Sequence, residues 1–286
     1  MEREEQRCRR DGCHRPAVFG SGYCWEHSGD HEALRQRARE AEDFTGANLA
    51  SFDLSGLELA GRSFRGACLG GANLSGCDLS GCDFSGAVLR RAVLAAALLE
   101  DARLAGADLT AAFAESADFH RAELSGVEAS RAFLVTARLA EARMEEAFLP
   151  FAALSGGDLA GLRAARCVLG GALLDEADLS GAVLEEVNLV GAVLSAADLS
   201  GVRLERSVLA GANLSGADLH QAALVDCDLS LADLTGADLS GADLSGSRLY
   251  RADLTACEYA PSRPPADLTG ALPAEVFLAR PEGDGE

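Results

Sequence analysis

A five-residue period constrains this chain more than any other feature. From Gly211 to Thr255 it reads GANLSGADLHQAALVDCDLSLADLTGADLSGADLSGSRLYRADLT, a small residue, Asp or Asn, Leu, Ser or Thr, and often Gly, repeated without a gap. Followed outward, the Leu position falls on every residue number ending in 4 or 9 from Phe44 to Tyr259, which makes 44 repeats with no insertion or deletion. Neither regular element accommodates that period. On a helix of ~3.6 residues per turn, successive Leu side chains step roughly 140° around the axis and form no face. On a flat strand, where side chains alternate, they fall on opposite sides. The backbone must therefore turn once per repeat. If it always turns the same way, the Leu and the small residue two before it point inward and the other three positions point out.

Stretches such as Ala212-Asn213-Leu214-Ser215-Gly216 and Ala237-Asp238-Leu239-Ser240-Gly241 match an A-[DN]-L-x-x motif. In this the chain resembles the pentapeptide-repeat family over about three quarters of its length. The resemblance implies an all-β fold, a right-handed quadrilateral β-helix with four repeats to a coil and about eleven coils over residues 44–259. It also implies a class of partner, because the best-known members of the family bind DNA gyrase and protect it from quinolones or related toxins.

Outside the repeat, residues 1–27 hold Cys8, Cys13, Cys24 and His27 in a C-x4-C-x10-C-x2-H arrangement. Three thiolates and an imidazole suit a closed tetrahedral zinc site, and a segment this small has too little core to fold unaided. His14 and His31 stand as substitute ligands. Residues 28–43 read as a short helix, capped by Ser28 or Asp30, that covers the open end of the solenoid. At the far end, Pro261, Pro264 and Pro265 are expected to stop the coil. Residues 260–286, with Leu272, Val276, Phe277 and Leu278, form either a second cap or a dimer contact. The latter stays open because gyrase-inhibiting members of the family pair through their C-terminal ends.

The formal charge of -20 argues against direct binding to nucleic acid or an anionic membrane, since both require clustered cations. No apolar run approaches ~18 residues and the first ten residues are charged, so a cytoplasmic protein is expected. Cys77, Cys82, Cys167, Cys227 and Cys257 occupy the inward small-residue position, where a thiol behaves as a small hydrophobe.

With four repeats to a coil, residues twenty apart stack on one face at ~4.8 Å, and eleven coils make a rod of roughly 50 Å. The outward position before each Leu then sorts into columns. One runs Glu58, Asp78, Leu98, Asp118, Arg138, Asp158, Asp178, Asp198, Asp218, Asp238, Glu258, acidic at nine of eleven places. A second gathers Arg103, Arg143, Arg163 and Arg203. A third, polar at both ends, is apolar through Val93, Phe113, Phe133, Ala153, Leu173 and Val193. Local distortion is expected near Phe113 and Ala114, with the large residue rotated inward, and again at Pro150 and Phe151.

A solid coil offers no cleft, His120 and His220 are isolated, and no phosphate loop or H-E-x-x-H motif occurs, so a non-enzymatic protein is expected. Two functions follow. In the first, the carboxylates of Asp78, Asp118, Asp158, Asp178, Asp198, Asp218 and Asp238 mimic DNA and engage a protein such as gyrase. In the second, the chain is a scaffold or adaptor whose apolar face, at Val93, Phe113, Phe133, Leu173 and Val193, docks a partner or a second copy.

Overall fold

The structure, a computed structural model, describes Arg9, Val18, Phe19 and residues 24–272. The chain divides into two compact units, Met1–Leu149 and Pro150–Glu286. Within each, residue i pairs in parallel with residue i+20, as in Asn73 with Val93 and Val93 with Phe113 in the first, or Asp178 with Asp198 and Asp198 with Asp218 in the second. Twenty residues per turn of a five-residue repeat is a four-sided coil, so the expected β solenoid is what the chain forms.

Following the five N–H groups of one repeat shows why the motif has the residues it does. In the repeat around Leu74, the Ala72 N–H closes the corner onto Leu69 O at 2.9 Å, the Asn73 N–H reaches back to Phe52 O at 2.8 Å, and the Leu74 N–H reaches forward to Val93 O at 2.7 Å. The Gly76 N–H donates to Ala95 O at 2.9 Å. That leaves Ser75, whose N–H has no carbonyl to meet and donates instead to Asn73 Oδ1 at 3.1 Å. Nearly every backbone donor in a folded chain finds an acceptor, and here the Asp or Asn before the Leu supplies the missing one. The residue after the Ser, at the corner, lies in the left-handed region, φ +60° at Gly76 and +64° at Gly81, which favours glycine.

The inward positions fill the coil. Leu and Ala side chains such as Leu74, Ala72, Leu214 and Ala212 are buried. In the first unit the core opens on an aromatic ladder, with Phe44, Phe64 and Phe84 stacked at centroid distances of 4.7 and 4.6 Å. Farther along, Ala114 and Ala129 stand where Leu is usual, and a void of about 20 Å³ lies beside them, lined also by Leu109, Phe119 and Leu134. The register does not slip there. Phe113 stays outside with its N–H on Ala92 O at 2.8 Å, and Ala114 is buried with its N–H on Phe133 O at 2.7 Å. The expected inward rotation does not occur, because turning Phe113 in would break coil-to-coil bonds on both sides of it. Phe151 likewise keeps its place, its N–H on Gly170 O at 3.0 Å.

The regular strands are β1 (Arg143–Glu145) in the first unit, and β2 (Arg163–Ala165), β3 (Val183–Glu185), β4 (Arg203–Glu205) and β5 (Ala223–Val225) in the second. Strands β2 to β5 pair in parallel, Leu184 opposite Leu204 and Leu204 opposite Leu224. Buried serines accept N–H groups at the corners that follow β3 and β5. Ser207 Oγ accepts the Val187 N–H at 3.0 Å, and Ser247 Oγ accepts the Cys227 N–H at 2.8 Å.

Helix α1 (His31–Glu40) begins at Asp30, whose carboxylate accepts the Ala33 N–H at 2.9 Å. It buries Leu34 and Ala38. Arginines tie it to the first coils: Arg35 donates to Asp53 O and Ser55 O, and Arg62 to Ala38 O and Ala41 O. At the other end the prolines do not stop the pairing. Asp243 pairs with Arg263, Arg248 with Asp267 and Asp253 with Leu272, the interval shrinking from twenty to nineteen as the last coil tightens. No helix among the described residues is long and apolar enough to cross a membrane.

Candidate functional site

In the second unit Asp158, Asp178, Asp198, Asp218, Asp238 and Glu258 pair in sequence, each with the next, and form an uninterrupted line of carboxylates on one face. Each aspartate also serves its own turn. Asp178 Oδ1 accepts the Ser180 N–H at 2.8 Å, Asp198 the Ser200 N–H at 2.9 Å, Asp218 the His220 N–H at 2.8 Å, and Asp158 the Ala160 N–H at 3.2 Å. Asp238 holds both the Ser240 N–H and its hydroxyl, and these bonds, with the nearby His220 ring, keep its carboxyl below the usual range. Each aspartate thus supplies the acceptor that its own turn requires.

The first unit carries the same face in a different state. Glu58, Asp78, Leu98, Asp118 and Arg138 pair in that order, so an apolar and a cationic side chain interrupt the line. Arg138 binds the outer oxygen of Asp118 at 2.8 Å. Of the acidic residues singled out in the sequence, Asp78 and Asp118 therefore sit in an interrupted row and Asp158 to Asp238 in a continuous one.

The apolar column behaves similarly. In the first unit Val93, Phe113 and Phe133 pair in register, and the two rings stack outside the coil at 5.1 Å with planes 7° apart, 44% and 47% exposed. Where Asp or Asn would close the turn, these phenylalanines offer no acceptor to the following N–H, so each forgoes a bond worth about 1 kcal/mol. In the second unit Leu173 and Val193 pair in register, with Leu173 exposed.

Reading only the residue before each Leu missed a further feature. Non-glycine residues with positive φ at the corners are mostly small, polar or charged, but Phe151 (φ +57°) and Leu231 (φ +61°) are large and apolar. They are also among the most exposed apolar side chains described, at 62% and 60%. A left-handed conformation costs an ordinary L-residue ~1–2 kcal/mol. Phe151 and Leu231 are four twenty-residue turns apart, so both lie on one edge of the second unit.

The cysteines within the coil are mostly interior. Cys77, Cys82, Cys167 and Cys227 are buried and Cys257 is half-buried. Desolvation pushes the thiols of Cys77, Cys82, Cys227 and Cys257 up to about 11, which keeps them neutral. Of the four residues expected to hold zinc, Cys8 and Cys13 lie outside the described residues. Cys24 is buried with its Sγ 3.3 Å from His27 Nδ1. The substitute ligand His31 is engaged otherwise: it stacks on Trp25 at 4.0 Å, and its Nε2 lies 2.8 Å from Trp25 O. The other substitute, His14, is outside the described residues. Among the described residues no group of three or more His, Cys, Asp or Glu is placed to hold a metal.

A family model for pentapeptide repeats matches in eight copies, between residues 43 and 134 and between 152 and 258. The chain belongs to the pentapeptide-repeat family. Among solved structures this pentapeptide-repeat protein is similar to HetL, described as involved in heterocyst differentiation regulation in the cyanobacterium Nostoc sp. strain PCC 7120. The identity is 33% with a TM-score of 0.66, covering 77% of this chain and 96% of HetL. A trypsin-treated variant of QnrB1, a plasmid-mediated fluoroquinolone resistance protein, shares 23% identity with a TM-score of 0.35, covering 73% of this chain and 90% of that one. Rfr23 from the cyanobacterium Cyanothece 51142 shares 31% identity over 38% of this chain and 62% of its own, with a TM-score of 0.23. No curated protein matches.

Proposed function

We propose that this pentapeptide-repeat protein is a non-enzymatic binding protein whose acidic face in the second unit occupies the cationic DNA-binding surface of another protein, with DNA gyrase or a related type II topoisomerase as the target. The carrying observation is the unbroken series Asp158, Asp178, Asp198, Asp218, Asp238, Glu258 in parallel register. Carboxylates stacked at ~4.8 Å repel one another, and asparagine, as at Asn213, satisfies the turn equally well without that charge, Oδ1 accepting the Ser215 N–H at 3.0 Å. Turn chemistry alone therefore does not select six acids in a row, whereas complementarity to a cationic surface does. The test is a supercoiling assay with purified gyrase and increasing protein. Inhibition, or protection from a quinolone, is expected at micromolar concentration and should vanish in an Asp178→Arg, Asp198→Arg, Asp218→Arg triple variant. The absence of both effects at that concentration overturns the reading.

A second reading rests on the stacked pair Phe113 and Phe133, which forgo turn bonds to stand in solvent. In it the protein is an adaptor that docks a partner or a second copy through that face. For a second copy, Phe133→Glu should leave the fold intact and halve the mass seen by light scattering; an unchanged mass excludes the homodimer.

We also infer zinc at the N-terminal cysteines. Two ligands of one tetrahedral zinc, at ~2.3 Å for sulfur and ~2.0 Å for nitrogen, lie roughly 3.5 Å apart, and Cys24 Sγ and His27 Nδ1 are 3.3 Å apart. One equivalent of zinc in the purified chain, lost in Cys13→Ser, is the expected result.

A further inference from the structure

The apolar edge of the second unit is independent of the acidic face and goes beyond the function proposed above. Its corner ladder runs from coil to coil: the Phe151 N–H donates to Gly170 O at 3.0 Å, Gly171 to Val190 O at 2.9 Å, Gly191 to Ala210 O at 3.1 Å, Gly211 to Ser230 O at 2.9 Å and Leu231 to Tyr250 O at 2.9 Å. Along this edge Phe151, Val190, Leu231 and Tyr250 are exposed, with Leu173 and Val208 exposed on the two adjoining faces. The Phe151 ring lies along the edge and not away from it, since a Cβ built on Gly171 would meet the ring at 2.5 Å. Gly191 and Gly211 follow, so the ridge has an apolar knob at each end and a low glycine floor between them. Both knobs are held in the left-handed region, where glycine or asparagine is the more stable choice, and both face water. Neither folding nor solubility explains that pairing of costs.

Charge and length identify the occupant. Asp228 and Asp233 flank Leu231 on the two adjoining faces, Asp175 and Glu176 stand at the next corner on one side, and Glu185 and Glu186, both ion-paired with Arg206, at the next corner on the other. Phe151 and Leu231 are four coils apart, ~19 Å at the inter-strand spacing, which a helix rising 1.5 Å per residue spans in about 13 residues. An apolar stripe of that length with cations on both flanks meets the ridge and the two carboxylates that flank Leu231 together. Arg248 and Arg251 follow Leu231, at the end that suits the negative C-terminus of such a helix. We propose that this edge is a docking surface for a basic amphipathic helix of a partner protein, with Phe151 and Leu231 as its two anchors.

The probe is a fluorescein-labelled 16-residue Leu/Lys peptide of helical amphipathic pattern, titrated with the full chain in physiological salt and read by anisotropy. A scrambled peptide of the same composition is the control. Micromolar binding is expected for the patterned peptide and at least tenfold weaker binding for the scrambled one. A Phe151→Asn, Leu231→Asn double variant should also lose at least tenfold, while melting no lower than the parent by circular dichroism because asparagine tolerates positive φ. Asp198→Arg, on the acidic face, should bind the peptide as the parent does, which separates this inference from the gyrase reading. Equal binding of the scrambled peptide, or undiminished binding by the double variant, overturns it. A dimeric mass in light scattering that becomes monomeric in the double variant also overturns it, by assigning the edge to a second copy.

Discussion

The two units use one backbone scheme and display different surfaces on it. In the first, the core carries stacked phenylalanines and a small void, the acidic row is broken by Leu98 and Arg138, and two phenylalanines stack outside. In the second, the acidic row is continuous and an edge is apolar. The coil-to-coil bonds are alike in both. The difference shows that the Leu and small positions set the fold, whereas the residue before Leu and the corner residue exchange local stability for surface chemistry. Positions where that exchange runs against stability are the ones to examine for function.

The largest effect expected is in the shared core. Leu219→Ala should cost about 2–5 kcal/mol in urea unfolding, and a loss below 1 kcal/mol would show that the coil relaxes around the hole. Next comes the acid response. Asp53, Asp83, Asp108, Asp243 and Asp253 have carboxyls held below their ordinary range, chiefly by hydroxyl and N–H donors of the turn residue that follows. A depressed folded pKa contributes stability above the unfolded value near ~3.9 and loses it as pH falls through the folded one. The melting temperature should therefore hold near neutral pH and drop below about pH 4; a flat profile down to pH 2 would contradict the turn bonds.

Smaller effects sharpen the contrast. Asp198→Ala should cost about 1 kcal/mol, whereas Phe113→Asp, which restores a turn acceptor, should gain up to about 1 kcal/mol. Leu231→Gly should likewise stabilise by about 1 kcal/mol, since it removes the left-handed penalty. If Phe113→Asp and Leu231→Gly both destabilise, those side chains are structural and the reasoning from local cost fails.

Much of this was legible in the sequence, for a physical reason. An unbroken five-residue period over Phe44 to Tyr259 admits one backbone solution, and the faces follow from it by counting. The corner residues were harder to read, because Phe151 and Leu231 look like defects of the repeat until the twenty-residue pairing aligns them. The distortion expected at Phe113 does not occur, because two coil-to-coil bonds outweigh one misplaced ring. The prolines misled in the same way: the chain continues to pair as far as Leu272 by giving up one residue from the interval. Nothing in the repeat speaks for Cys24 and His27, which lie before it.

The pairing of each residue with the one twenty farther on also bears on how such a chain can change. Losing or gaining a single repeat leaves the inward pattern intact, because Leu still follows Leu at five. It nevertheless turns everything downstream by a quarter of a revolution, so a carboxylate row would continue on what had been the apolar face after a loss, and on the arginine-bearing face after a gain. Only a change of four repeats preserves both core and faces. Length in this protein is therefore quantised for function at twenty residues and for folding at five, and shorter insertions act as rotations of the binding surface.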